Sequence, residues 1–459
     1  MGCGCRAQYS RSSTLYCVAV RGTSDSAARG PQNLRVDTIG DWLKAKEPGA
    51  RVVAVSGKDR AAIMMAGHHA DAVYWWVDGK GFATSAYAGP AGPAVTAASD
   101  AFDKSLFDRW RAAPPQLWPT ALPQDCSALV QPHRFGAVDV SGGVPPSDAP
   151  AVSAGFLGRT DFYDGLHASP SFDPLALDFA ATLVDRDGLG QGPATDLLAL
   201  SLSATDYVGH RYGNGGAEMC AQLHALDEAL GQFLAKLDGL GVPYVVVLTA
   251  DHGAIDAAER AAEHGVAAQR IDGAGLVKAL NQHLEEQFSL AYEPIIGDDP
   301  QQLYLNVAGD AALIEKIRDE TVAWLKARKE VAAVLTAAEV AAAPPTGKPV
   351  ERLSLAERFH ESYDPARSGD IAVALAEYAT IGTPRGPGDV VAGHGSPWDY
   401  DRRVPILFWW RGITPADRGE AIETVDIAPT LAPLIGLAAP PVDGHCLVQV
   451  TSSCPAVSR

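Results

Sequence analysis

The 459-residue chain is 47% hydrophobic and 20% charged, with 37 Lys and Arg against 55 Asp and Glu for a net charge of −18. That much apolar material builds a large core and excludes wholesale disorder. The acidic balance argues against nucleic acid or an anionic membrane as a partner, so an anionic substrate would need metal ions and a few placed Lys or Arg to receive it.

The first residues, MGCGCRAQYSRSSTLYC, lack the apolar run of a secretory signal, and Thr14-Leu-Tyr-Cys-Val-Ala-Val20 reads as a strand. Cys3-Gly4-Cys5 is too tight and isolated for a zinc site. The cysteines (Cys3, Cys5, Cys17, Cys126, Cys220, Cys446 and Cys454) are odd in number and scattered, so no disulfide framework emerges; Cys446 and Cys454 could pair in an oxidising compartment. No stretch approaches the ~20 apolar residues of a membrane span.

Helix and strand signals then alternate, which predicts an α/β fold with a mainly parallel sheet. Arg51-Val-Val-Ala-Val-Ser56 reads as a buried strand, followed by a turn at Gly57-Lys-Asp-Arg60 and a helix from Ala61. Pro90 to Ala154, rich in Pro, Ala, Ser and Gly, reads as a loop-rich insertion. Asp196 to Ser203 is a second strand, and Met219, Leu223, Leu226, Leu230, Phe233, Leu234 and Leu237 recur at helical spacing. Tyr244 to Ala250 is a third strand, so 196–250 forms a strand–helix–strand unit whose strand ends should be neighbours in the sheet. Residues 298–345 read as a small α+β cap: a strand at Leu303–Val307, a helix at Ala311–Lys329 and a strand at Val331–Leu335. Arg367 to Asp370 forms a turn into a strand at Ile371–Leu375, and the last predicted strand is Val404–Trp410. The whole is expected to be one elaborated domain.

In open α/β sheets ligands bind beyond the carboxyl ends of the strands. After the second strand comes Ala204-Thr-Asp206-Tyr-Val-Gly-His210, an Asp and a His four apart that share one side of a helical turn. After the third comes Asp251-His252-Gly253, and before the last strand comes Gly393-His394-Gly395-Ser-Pro397. Each alone fits a cap or a turn; together they point to a metal centre, and mixed Asp and His ligands suit zinc better than Ca²⁺ or Mg²⁺. Five ligands are too many for one tetrahedral ion and suggest two, which is chemistry for a phosphoryl group. Lys58 and Arg60, between a strand and a helix, could hold phosphate oxygens. His68, His69, His133, His167, His224, His264, His283, His360 and His445 lack partners at ligand spacing and read as structural. A Gly-x-Ser-x-Gly elbow and a Cys-x-Pro-x-Arg nucleophile motif are absent from the sequence.

The segments Val53-Ala-Val-Ser-Gly-Lys-Asp-Arg-Ala-Ala-Ile63, Ala70-Asp-Ala-Val-Tyr-Trp-Trp76, Ser201-Leu-Ser-Ala-Thr-Asp-Tyr-Val-Gly-His210, Thr249-Ala-Asp-His-Gly253, Gly393-His-Gly-Ser-Pro397 and Val425-Asp-Ile-Ala-Pro-Thr430 carry a resemblance. Together they resemble the type I phosphodiesterase/nucleotide pyrophosphatase family of the alkaline phosphatase superfamily, and within it the single-chain bacterial alkaline phosphatases with a threonine nucleophile. The resemblance implies an alkaline-phosphatase-like sandwich with helices on both sheet faces, two zinc ions and a small-molecule phosphate ester as substrate. It makes Asp206, His210 and His394 the ligands of one zinc and Asp251 and His252 part of the shell of the other. Lys58 and Arg60 correspond to the pair that holds phosphoryl oxygens in monoesterases of this group. It also implies a periplasmic or secreted protein.

In the family, a strand ending in a metal-binding Asp, a Thr nucleophile and a phosphoryl-binding Asn precede these segments, and none is found before Lys58. The expectation is therefore a phosphate-monoester hydrolase domain whose second zinc site is incomplete and which is inactive as this chain. The alternatives are a phosphodiesterase or nucleotide pyrophosphatase, and a non-catalytic metal-binding remnant.

Overall fold

The computed structural model describes residues 29–85, 92–143, 156–297, 299–307 and 310–455. The strand expected at Thr14–Val20 and the Cys3–Cys5 pair lie outside them.

In the N-terminal half the elements run α1 (Ile39–Lys46), β1 (Val52–Ser56), α2 (Asp59–Ala66), β2 (Ala72–Val77), β3 (Gly81–Ala83), α3 (Gly92–Ala112), β4 (His133–Phe135) and β5 (Val138–Val140). Then come α4 (Thr160–His167), α5 (Phe172–Asp187), β6 (Leu197–Ser201), α6 (Ala204–Tyr212), α7 (Ala217–Gly239) and β7 (Val245–Leu248). The rest comprises α8 (Ala258–Glu263), β8 (Gln269–Ile271), α9 (Gly273–Phe288), β9 (Ile295–Ile296), β10 (Gln302–Leu305) and α10 (Ala311–Lys326). Strands β11 (Val331–Thr336), β12 (Ile371–Leu375), β13 (Ala379–Ile381) and β14 (Leu407–Trp410) follow, among shorter helices.

The principal sheet has the order β3-β2-β1-β6, with β1 parallel to both of its neighbours. Every residue of β1 is buried, which is why VVAVS reads as an unbroken apolar run rather than an alternation. On one face, Tyr74, Trp76 and Phe82 meet Phe172 and Phe179 of α5; Phe82 and Phe179 stack with centroids 4.6 Å apart. The other face is covered by α2, through Ala62, Ile63 and Ala66.

The structure corrects the sequence reading in three places. Residues 92–112, expected as loop, form the 21-residue helix α3, whose buried Val95, Leu106, Phe107 and Trp110 join the aromatic core. Its Ala, Ser and Thr content hid a helical stripe. Strands β6 and β7 are not neighbours: among the described residues β6 pairs with β1, whereas β7 pairs antiparallel with β14. The sheet expected within 298–345 has the order β11-β12-β10-β9, so it also takes in β12 and β9 from outside those bounds. Leu280 and Leu284 of α9 and Ile317 of α10 pack into its core with Leu303 and Val373.

Disulfides join Cys446 to Cys454 and Cys126 to Cys220. The second links the turn before the β4–β5 hairpin to α7, a pairing across 94 residues that spacing alone does not announce.

Asp103 of α3 is buried and accepts a hydrogen bond from the Phe82 N–H at 3.0 Å. Burial pushes its carboxyl up to about 7, with the Phe82 bond opposing and Asp100 adding to the rise. The folded chain therefore holds a proton that the unfolded chain releases near ~4, and stability falls as pH rises from ~4 to ~7, then levels. Asp103→Asn, which keeps the acceptor and has no charge to bury, is expected to match the parent near pH 4. Above pH 7 it should exceed the parent by on the order of 3 kcal/mol or less. Thermal unfolding of both proteins across that range checks this; a gap independent of pH would remove Asp103 as its source.

Candidate active site

Strands β1 and β6 run parallel in a register that places Ser56 opposite Ser201, so the turns that follow them emerge side by side. Gly57 makes the close approach possible: a Cβ there would lie 2.6 Å from the Phe172 ring and 2.9 Å from Ser203 Oγ. Ser56 Oγ accepts the Lys58 N–H at 2.9 Å and fixes the turn. Lys58 then leads into α2, its Nζ ion-paired with Asp206 Oδ2 and 4.5 Å from the centre of the Tyr207 ring. The Arg60 guanidinium makes no ion pair with any described residue, and it lines a cavity of about 390 Å³ together with Lys58, Trp76, His167 and Tyr207.

Asp206 and His210 sit one turn apart on α6, with His210 Nε2 3.3 Å from Asp206 Oδ1. The His210 Nδ1–H donates to the Ala392 carbonyl at 2.8 Å, so in the neutral imidazole Nε2 carries the lone pair. The Val391 N–H in turn donates to the His210 carbonyl at 2.7 Å. These two bonds dock the 391–395 loop on α6 and carry in His394, whose Nε2 also stands 3.3 Å from Asp206 Oδ1. The turn after β7 arrives differently. Gly253 donates to the Asp401 carbonyl at 2.7 Å, and a Cβ at Gly253 would lie 2.1 Å from the Tyr400 carbonyl. His252 thereby stacks on His394, centroids 3.5 Å apart. Its Nδ1–H donates to the Gly253 carbonyl, while Nε2 lies 3.9 Å from Asp206 Oδ1 and 3.5 Å from Asp251 Oδ2.

The seven residues expected at the site thus lie around the ends of β1, β6 and β7 and the 391–395 loop, with Asp251 at the outer edge. His252 also approaches Asp206 and His394, the ligand atoms of the three all within 4.8 Å of one another, while Asp251 is largely exposed at the edge. Burial raises the Asp206 carboxyl, but hydrogen bonds from His210 and His394 and the Lys58 charge outweigh it, holding the group far below the usual carboxylate range. Burial disfavours charge on His210 too; Asp206 more than offsets this, and the imidazole is raised. Imidazole nitrogens 3.3 Å from a shared carboxylate oxygen are spaced like neighbouring ligands of one ion, and an N/O donor set fits zinc.

Three residues escaped the sequence reading. Asp173 of α5, fully buried, accepts the Ala204 N–H at 2.8 Å and the Gln222 amide at 3.1 Å, pinning the first turn of α6 beneath Asp206. Asp401, also buried, accepts the Ser396 N–H at 2.7 Å and steadies the loop beyond His394. His167, read as structural, lines the cavity, stacks on Tyr207 and stands 3.0 Å from Asp78. A buried Asp near a helix start is the one signal the sequence offered, and it is common to many caps.

The fold and site define an α/β protein with a histidine–carboxylate cluster and two cations at the carboxyl ends of its strands. The profile of the type I phosphodiesterase/nucleotide pyrophosphatase family matches residues 18–397, and the chain belongs to that family, within the alkaline phosphatase superfamily. It is 38% identical over 449 residues to alkaline phosphatase PhoK of Sphingomonas sp., covering 94% of this chain and 76% of that protein. It is 39% identical over 451 residues to alkaline phosphatase PhoD of Zymomonas mobilis, covering 94% and 73%. The crystal structure of wild-type alkaline phosphatase PafA superposes with a TM-score of 0.79 at 25% identity, covering 95% of this chain and 83% of that one. The family is one of phosphoric ester hydrolases.

Removing the Asp173 carboxyl would orphan the buried Ala204 N–H. Asp173→Ala is expected to cost about 1–3 kcal/mol in denaturant unfolding, and Asp173→Asn distinctly less because its amide oxygen keeps the bond. Equal losses in the two variants would show that packing, not this bond, holds α6.

Proposed function

We propose that this site binds and hydrolyses phosphate monoesters with zinc held by Asp206, His210 and His394, and that Asp251 and His252 contribute to a second ion. The observation that carries the reading is the pair Lys58 and Arg60 on one turn, opening to the same cavity beside the Asp206 cluster. A monoester dianion carries more charge than a diester, so two adjacent cations favour it. Arg60 supplies a planar fork for two phosphoryl oxygens and Lys58 a mobile point charge. Zinc, when bound, would supply Lewis-acid polarisation of the phosphoryl and leaving oxygens. The chain's own part is to fix the Nε2 lone pairs of His210 and His252 through their Nδ1–H bonds to Ala392 and Gly253, and to hold the phosphoryl group with Lys58 and Arg60.

The names of the alkaline phosphatase relatives support the monoester reading. The family's own description keeps the diesterase reading as its rival. Two disulfides suit an oxidising, periplasmic or extracellular setting. Among the described residues no helix is long and apolar enough to cross a membrane.

Calorimetric titration of the zinc-loaded chain with inorganic phosphate tests the proposal. Chelation should abolish binding, and K58A/R60A should weaken it by about 100-fold, roughly 2.7 kcal/mol, while binding of a diester monoanion falls much less. Equal losses for the two anions would sink the monoester assignment.

Among the described residues no Ser or Thr hydroxyl hydrogen-bonds to any of the five metal-type side chains. Hydrolysis at this site therefore needs a nucleophile beyond the residues assigned above, and a site without a covalent one is expected to be slower on the order of 10⁴-fold toward an aryl phosphate. Robust zinc-dependent turnover would mean that a residue not assigned above attacks phosphorus.

A further inference from the structure

At the opposite end of α2 from Lys58, a second histidine meets two carboxylates. The N-terminal turn of α1 is closed by a capping box in which Thr38 and Asp41 exchange hydrogen bonds. Asp41 is buried, and its Oδ1 also accepts the backbone N–H groups of His68 and His69, each at 2.8 Å. Gly67, with φ of 84°, ends α2 and lets the chain come this close: a Cβ there would lie 2.2 Å from Asp41 Oδ2. The His68 ring is thereby laid against both Asp41 and Asp37.

The ring's two nitrogens have different surroundings. The Nε2–H donates to the Leu34 carbonyl at 3.1 Å, so in the neutral imidazole Nδ1 carries the lone pair. That Nδ1 is buried and has no hydrogen-bond partner. It faces Asp41 Oδ2 at 3.5 Å and Asp37 Oδ1 at 3.6 Å. These separations exceed hydrogen-bond length. They match the spacing of two ligands on one tetrahedral ion, roughly 3.4 Å for bonds of about 2.1 Å. A lone pair turned toward two carboxylates is repulsive unless a cation lies between them. A ring whose other N–H is spent on a backbone carbonyl is the usual posture of a metal-bound histidine, and His210 adopts it with Ala392.

We propose that Asp37, Asp41 and His68 form a further, structural site for a divalent transition ion of the zinc type, with water completing the shell on the side of the exposed Asp37. The three ligand atoms all lie within 4.8 Å of one another. The site ties the start of α1 to the end of α2, and so fixes from behind the short helix whose first turn carries Lys58 and Arg60. It does not depend on the catalytic reading. No described Lys or Arg forms an ion pair with Asp37 or Asp41, and the other titratable ring nearby is His69, with centroids 6.3 Å apart. His68, read from sequence as structural, becomes a ligand.

The test is metal counting on the full-length chain after zinc loading and desalting, in an Asp206→Asn background that weakens the other cluster. The background protein should retain an equivalent at the Asp37 site, beyond any held with Asp251 and His252, and D37N and H68Q should each lose it. Zinc should also raise Tm in the background, with at least about tenfold more zinc needed in D37N. D37N alters an exposed side chain, so it keeps the test valid if H68Q folds poorly. Unchanged stoichiometry in D37N, or a zinc-independent Tm that falls as pH rises through the histidine range, would overturn the proposal and leave a histidinium ion pair instead.

Discussion

One carboxylate organises the site. Asp206 is largely withdrawn from water, and an isolated buried charge is among the most expensive things a fold can contain. Here Oδ1 faces His210 and His394 at 3.3 Å and Oδ2 meets Lys58, so groups from β1–α2, α6 and the 391–395 loop are all drawn to the same point. Removing any one partner leaves the charge less compensated. The loops around it are also cross-tied by backbone bonds, from Val391 to His210 and from Gly253 to Asp401.

Those ties matter because the sheet does not do the work alone. The β1–β6 ladder delivers Lys58 and Asp206 in register, but β7, which brings Asp251 and His252, belongs to a separate pair with β14. Every residue of β6 is partly accessible, and Leu248 of β7 and Leu407 and Trp409 of β14 are exposed. Among the described residues the two strand groups are joined across the site by loops and by His252 stacking on His394. Among the described residues these strand edges, with their accessible apolar side chains, are open to further pairing.

Legibility in the sequence followed the range of the interactions. β1 and the Asp206/His210 pair could be read because burial on both faces and helical spacing leave local marks in VVAVS and DYVGH. The grouping of His252 with Asp206 was not legible, since it depends on how the Asp401 and Gly253 backbones meet across about 150 residues. Helix α3 was hidden by small polar residues that read as loop, although its Val95, Leu106 and Trp110 stripe is what covers the aromatic core. The partners of Asp173 and the Cys126–Cys220 bridge are long-range, and nothing local in the sequence says which residues meet.

The position of Lys58 ties recognition to metal occupancy. The Lys58 ammonium is ion-paired with the Asp206 carboxylate, so a phosphoryl group must compete for it. Under the zinc reading proposed above, an ion held by Asp206, His210 and His394 would share that neutralising role and loosen the hold of Asp206 on Lys58, which lines the cavity beside Arg60. Metal binding and phosphate binding then reinforce each other through a single side chain, and by linkage the coupling is reciprocal. Arg60, which makes no ion pair with any described residue, has no such dependence. Under that reading the two cations differ: Lys58 shares Asp206 with the ion, and Arg60 does not.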